Sequence, residues 1–262
     1  MAFSCKDPSL TYLNRYGYNV VTLPRTGLDP LLVLGRDQTL TPLGQLSTVW
    51  KTADPPPVPA APQRAANVEG QKTDKLDLSL GLKMLANALA AFGATTPSIE
   101  FAYQRARKVQ FTLTNVWSVG IDPFTVGEYL ASGDLNLSNP VVARFFDGDS
   151  AAYIINEVLK SQSVAVTAID SDGTAIGVDV PAISNVVGAK VKVSTGGDQQ
   201  DFVTYTGPEL VTFGFKALEI DYSSGRWGVV GVNPSGGMAF AHEEDQTELE
   251  GVIFNPGGLV RL

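Results

Sequence analysis

One stretch of this chain carries two structural periods at once, and any fold it adopts must choose between them. In residues 76–92, Leu78, Leu82, Leu85, Leu89 and Phe92 recur at steps of three and four, the spacing of one helix face. In the same stretch Leu76, Leu78, Leu80, Leu82 and Met84 alternate strictly with Asp77, Ser79, Gly81 and Lys83, the period of a strand. Either element satisfies the pattern locally, so packing elsewhere must decide.

The surroundings read as strands interleaved with short helices. Asp7 and Pro8 suit the start of a helix over residues 6–16. Strands are expected at 20–24 and 31–34, and 54–62, with five prolines in nine residues, reads as a stiff exposed loop. Ile99, Phe101 and Tyr103 alternate, as do Val109, Phe111 and Leu113, giving two more strands with one wet face. Asp122-Pro123 opens a helix to Ala131 that Gly133 closes, and Asp149 or Ser150 is expected to cap another through Lys160. Asp170-Ser171-Asp172-Gly173 reads as the turn of a hairpin with strands 163–169 and 174–180. Residues 186–193 fit helix or strand. Strands follow at 201–205, 211–222 and 226–232, then a loop at 233–250 and a last strand at 251–255. No regular βαβ unit recurs, so the expected class is α+β: a twisted, mainly antiparallel central sheet with peripheral helices.

Charge is unevenly distributed. Residues 1–108 hold 12 Lys+Arg against 8 Asp+Glu, and the remainder 7 against 19. The net charge of -8 argues against a general nucleic-acid partner, which needs clustered cations. A basic front and an acidic back suit a chain that meets an anionic surface with one part and counterbalances it with another. No run approaches the roughly 20 apolar residues of a spanning helix, and the start carries no secretory pattern, so a cytoplasmic protein is expected.

Catalytic chemistry is poorly represented. Phosphate-binding glycine loops and nucleophile elbows are missing from the sequence, and the one histidine, His242, falls in a loop-like stretch. One cysteine, Cys5, excludes an internal disulfide and a cysteine metal cluster, so neither metal nor catalytic residues are assigned. Cys5 could accept an acyl chain. Short strands, glycine-rich turns and no catalytic motif would equally suit a structural or binding protein such as a phage or virion component.

The opening Cys5-Lys6-Asp7-Pro8, then Tyr12-Leu13, Gly17-Tyr18-Asn19-Val20-Val21 and Leu23-Pro24-Arg25, resembles the start of the bacterial gasdermins. The spacing on to Asp29-Pro30-Leu31 and Leu43-Gly44-Gln45-Leu46 is similar to that family too. The resemblance implies a pore-forming body, residues 1–240, and a short autoinhibitory peptide, residues 241–262. It implies a partner protease, encoded nearby, that cuts near the end of the chain. The intact monomer would then become a homo-oligomer whose segments span the inner membrane as a β-barrel and kill the cell in antiphage defence. It also implies a palmitoyl group on Cys5 as the sole cofactor.

Under that reading the candidate spanning positions are Leu76, Leu78, Leu80, Leu82, Val164, Val166, Ile176 and Val178, in stretches near the roughly 9–11 residues a barrel strand requires. The candidate cleavage region comprises Asn233, Gly236, Gly237, Met238 and Phe240. The tail is expected to hold the body through Val252, Ile253, Phe254, Leu259 and Val260. Residues 242–262 carry five acids and one arginine, so losing them takes the body from -8 to -4.

Overall fold

The computed structural model describes residues 13–65, 76–94, 103–146, 151–187, 189–196, 199–223, 225–232, 238–240, 251–256 and 259–262. In chain order the strands are β1 (Asn19–Arg25), β2 (Leu32–Arg36), β3 (Leu40–Gln45), β4 (Trp50–Lys51), β5 (Gln63–Arg64), β6 (Leu76–Asp77), β7 (Lys108–Thr114), β8 (Trp117–Gly120), β9 (Asp134–Leu135), β10 (Ala151–Ile169), β11 (Ala175–Ile176), β12 (Lys192–Gly196), β13 (Gln199–Ser223), β14 (Arg226–Val232), β15 (Met238–Phe240) and β16 (Leu259–Val260). The helices are α1 (Leu46–Val49), α2 (Leu78–Ala91), α3 (Pro123–Ala131), α4 (Pro140–Phe146) and α5 (Val180–Val187).

The two long strands β10 and β13 lie side by side and organise one large sheet. β13 adds β14 and β15 in one direction, and β10 adds β2 and β3 in the other. β7, β8 and β11 also lie on β10, and β1 and β12 on β13. Each of these pairings is antiparallel; β16 on β1 is parallel. The class is therefore α+β with a mainly antiparallel sheet and few helices.

Where the sequence supplies local stop and start chemistry, expectation and structure agree. Asp122 accepts from the Thr125 N–H at 3.1 Å, Pro123 occupies the first turn of α3, and the helix ends at Ala131. Strand β14 begins at Arg226 beyond the turn at Gly225, whose φ of +79° favours glycine. Residues 54–62 form no helix or strand and are mostly exposed, with Val58 at 85%.

Several elements differ. In residues 78–91 the helical period wins: Leu82, Leu85 and Leu89 of α2, with Phe92 behind it, are buried, and only Leu76–Asp77 remains strand. Residues 151–160, expected as a helix, are the first half of β10. Ala152 and Ile154 face one core while Tyr153, Ile155 and Val158 face another. A strand covered on both faces loses alternation and reads as a continuous apolar run, which periodicity cannot tell from a buried helix. Of the expected strand ending at Tyr103, residues 99–102 lie outside the described residues, and 103–107 are not strand. The hairpin at 170–173 exists, but its second strand is only β11, because 180–187 coil into α5. Strands 201–205 and 211–222 merge into β13. Within the expected loop 233–250, Met238–Phe240 pairs with β14 as β15. Residues 251–255 are not a strand; the pairing falls later, at β16.

The sheet's two faces are covered differently. Leu46 and Val49 of α1, Val126 and Leu130 of α3 and Val142 of α4 pack over one face against Ile154 and Leu218. The cluster on the opposite face, around Tyr153, Ile155, Phe215 and Ala217, includes no hydrophobic side chain of α1–α5. Its cover is residues 21–28 together with the chain's last segment, through Val252, Phe254, Val260 and Leu262.

Candidate functional site: the docked C-terminal segment

The segment enters through a glycine–glycine contact. Gly17 has φ +78°, and a Cβ there would lie 2.9 Å from the Gly251 nitrogen. A Cβ on Gly251 would in turn lie 2.7 Å from the Gly17 carbonyl oxygen and 3.1 Å from Lys216 Cβ. Only two bare backbones fit this approach.

Beyond it, the segment is held by its backbone. The Val252 N–H donates to the Ala217 carbonyl at 2.8 Å. Asn19, 1% exposed, reads the next two peptide groups with one side chain: its Nδ2 donates to the Val252 carbonyl at 2.7 Å, and its Oδ1 accepts from the Phe254 N–H at 2.8 Å. Flipping the amide would break both bonds, so its orientation is fixed. Further on, Val20 and Val21 of β1 pair in parallel with Leu259 and Val260, and Thr22 Oγ1 donates to the Val260 carbonyl at 3.1 Å. Asn255 Nδ2 donates to the Leu259 carbonyl at 2.9 Å.

Side chains add the apolar hold. The Phe254 ring meets Tyr153 edge-on with centroids 4.8 Å apart and Phe215 at 6.1 Å, and the Arg36 guanidinium lies 5.7 Å from its centroid. Val260 is 5% exposed, and Leu259 packs on a second cluster with Val20 and Phe213. Ile253 is half-buried and belongs to neither cluster.

Polar groups rim the site. Tyr18 Oη donates to Glu157 Oε1 at 2.6 Å, Lys216 Nζ lies 3.1 Å from Glu157 Oε2, and the same ammonium sits 4.6 Å from the Tyr18 ring centroid. Burial, then the Glu157 carboxylate, pushes the Tyr18 hydroxyl far above its usual range, so it remains a donor. Burial and Asp221 push the Glu219 carboxyl up, and Arg36 opposes them. None of these groups is arranged as a nucleophile with a base.

Of the expected tail contacts, Val252, Phe254 and Val260 thus pack on the cluster around Tyr153 and Phe215, and Leu259 on the neighbouring one. Asn19, Arg36, Tyr153 and Leu262 were not singled out from the sequence. Asn19 lies within the Gly17–Val21 string, but nothing in that string says an asparagine will be buried there. Of the candidate spanning positions, Leu82, Val164 and Val166 are buried in one cluster, with Ile176 and Val178 packed against it. Leu76 pairs with Val109, while Leu78 and Leu80 lie on α2. Cys5, Asn233, Gly236 and Gly237 lie outside the described residues. Met238 and Phe240 stand in β15. Among the described residues no helix is long and apolar enough to cross a membrane, and no group of three His, Cys, Asp or Glu could hold a metal ion.

A large antiparallel sheet with one face closed by its own C-terminal segment defines a chain whose exposed surface depends on where that segment lies. Comparison with known proteins supplies the family. The family model described as Bacterial Gasdermin Family matches residues 21–226. The chain is 38% identical over 261 residues to a gasdermin bGSDM of a Vitiosangium species, covering 98% of both chains. It is 34% identical over 226 residues to one of a Desulfuromonadales bacterium, covering 85% of both. A bacterial gasdermin structure from Bradyrhizobium tropiciagri superimposes with a TM-score of 0.68 over 90% of this chain and 93% of that one, at 14% identity. The chain belongs to the bacterial gasdermin family. It is a pore-forming cell-death effector of a family whose members act as pores rather than enzymes.

Proposed function

We propose that residues 1–240 are a pore-forming body restrained by residues 241–262, and that a partner protease, encoded nearby, activates it by cutting between them. The observation carrying this reading is the cover on the face opposite α1, α3 and α4: Phe254 against Tyr153 and Phe215, and Val260 against β1. Removing the segment would uncover apolar surface and leave the buried Asn19 amide without its two backbone partners, a state that favours new contacts over a free monomer. Covalent tethering keeps the segment docked at high effective concentration, and a severed peptide leaves by dilution.

The freed body oligomerises on the inner face of the cell membrane, with anionic headgroups drawing the basic front at roughly 1 kcal/mol per cation. Spanning strands form from residues 76–84 and 163–183, closing their hydrogen bonds between chains as a barrel must. Cell death by this route serves antiphage defence. The cut is placed near the boundary between body and segment, within 233–248, and the paired backbone of β15 makes Met238–Phe240 the poorer substrate within that range. Replacing residues 241–247 with a site-specific protease sequence should give a monomer that leaves liposomes intact until cut. A cut protein that stays monomeric and leaves liposomes sealed would defeat the whole reading.

Cys5 carries a palmitoyl group in this proposal, supported by its place ahead of the basic first segment. At roughly 0.8 kcal/mol per buried methylene a single chain binds membranes reversibly, so it assists insertion without replacing it. Intact mass spectrometry of protein from native-like expression should show the added acyl mass. An unmodified mass, together with undiminished leakage by cut Cys5→Ala protein, would remove this part.

A further inference from the structure

Three neighbouring strand paths lose register at one level of the sheet. On one side of β10, pairing with β8 ends at Lys160↔Trp117, and pairing with β7 begins at Ser163↔Thr114. Between those partners Asn115 turns the chain with φ +54°, a conformation asparagine tolerates better than most residues. On the other side, β10 pairs with β13 as Ser161↔Val211 and next as Ser163↔Thr206. Residues 207–210 of β13 therefore stand opposite Gln162 alone. Pro208 among them has no N–H to give a ladder. A single bulge bends and loosens one ladder; here the irregularities line up across the sheet.

Hydroxyls hold the line where ladder bonds are missing. Ser161, 1% exposed, accepts the Ser163 N–H at 3.0 Å, with its Oγ 2.7 Å from the Thr114 carbonyl and 2.9 Å from that of Ser163. A hydroxyl has one hydrogen, so it serves only one of the two carbonyls at a time. Ser163 Oγ and Thr206 Oγ1 are 3.2 Å apart across the same line.

The cores divide at the same place. Beyond the line, Val109, Phe111, Val164, Val166 and Val203 pack with Leu85 of α2 in one cluster, which reaches the line itself at Val211. On the near side Ile154, Val158, Phe215 and Leu218 belong to separate clusters. Contacts also bridge the halves near the line: Leu113 packs against both the far cluster and the one with Val20 and Phe213, and α2 lies along β1. The Phe92 ring lies where a Cβ on Gly207 would be, at 2.7 Å, and Asn87 Nδ2 donates to the Thr22 carbonyl at 3.1 Å.

We infer that this hydroxyl-lined seam joins two cooperative units, and that the far unit opens as a block while the near unit stays folded. The far unit comprises β7, the end of β10, β11, β12 and the start of β13, with α2 and α5. What the opening is for rests on the proposed function: Val164, Val166, Ile176 and Val178 all lie in the far unit. The near unit carries the face on which the C-terminal segment docks.

Native-state hydrogen exchange on the intact chain, at rising sub-denaturing urea, tests the seam without any membrane. Amides of 108–114, 163–169 and 199–206 should share one opening, exchanging at least about tenfold faster than those of 151–160 and 211–222. Ser161→Ala, which strips buried backbone groups of a partner, should speed the first set about tenfold again and leave the second unchanged. One common opening for both halves of β10 overturns the inference, and so does a Ser161→Ala effect equal in both sets. Should that variant misfold, the unmodified chain decides alone. Liposome leakage after cutting is scored separately. Leakage without two-unit opening removes the seam and keeps the pore; two-unit opening without leakage does the reverse.

Discussion

Val260→Asp should make the uncut chain leak liposomes with no protease present. Val260 is 5% exposed, sits in the parallel pairing with β1, and touches the cluster that includes Tyr153 and Phe215. Replacement forfeits the burial of a valine, roughly 1.5–3 kcal/mol, and sets a carboxylate against apolar side chains. A total of about 3 kcal/mol or more would raise the undocked fraction on the order of 100-fold. Val260 stands on a two-residue strand paired only with β1, so the thermal transition of the body should move little. Limited proteolysis reports directly on undocking, through faster cutting in the last twenty or so residues. If the segment is released in a well-folded protein and liposomes remain sealed, the segment does not restrain the pore.

Ile176→Arg should do the opposite, abolishing leakage by the cut protein. In the described fold Ile176 stands on the two-residue strand β11 at the margin of the far core and is only half-buried. An arginine stem can lie along such a margin with its head in water, so the soluble protein should keep most of its stability. In a barrel the same residue at mid-bilayer would cost roughly 2–4 kcal/mol, repeated in every subunit of the ring. Val58→Arg is the matched control, because Val58 is 85% exposed on the proline-rich stretch and outside the spanning segments. Thermal melting separates folding damage from membrane failure. Normal leakage by a stable, cut Ile176→Arg protein would mean that the hairpin at 170–173 is not among the spanning segments.

The two substitutions act on different halves of the molecule. One disturbs the near side, where the segment docks on β1 and β13; the other the far side, where α2 folds over β7 and β10. A combined Val260→Asp, Ile176→Arg chain should therefore be unlatched yet unable to span.

Sequence alone determined the elements whose signals act within a few residues of backbone. Asp122 and Pro123 define the start of α3 because a carboxylate three residues ahead of an N–H caps it whatever surrounds it. Asp170 forms its turn in the same way, Oδ1 accepting from the N–H groups of Asp172 and Thr174. The gap between the expected strands 201–205 and 211–222 coincides with the register break inside β13, though nothing in it says that one strand continues across. The family string at 5–46 was legible for the same reason, being read residue by residue. Only the tertiary structure decided the rest. Residues 78–91 and 151–160 are both apolar enough for either element. The first became a helix covering a sheet margin and the second a strand buried on two faces, because of what packs above and below them. The docking of residues 251–262 was the least legible of all. It depends on Asn19, Ala217 and Tyr153 converging from three strands upon one segment, the first two on its backbone and the third on the Phe254 ring, and a buried amide that reads a peptide over 230 residues away leaves no periodicity, cap or turn to announce it.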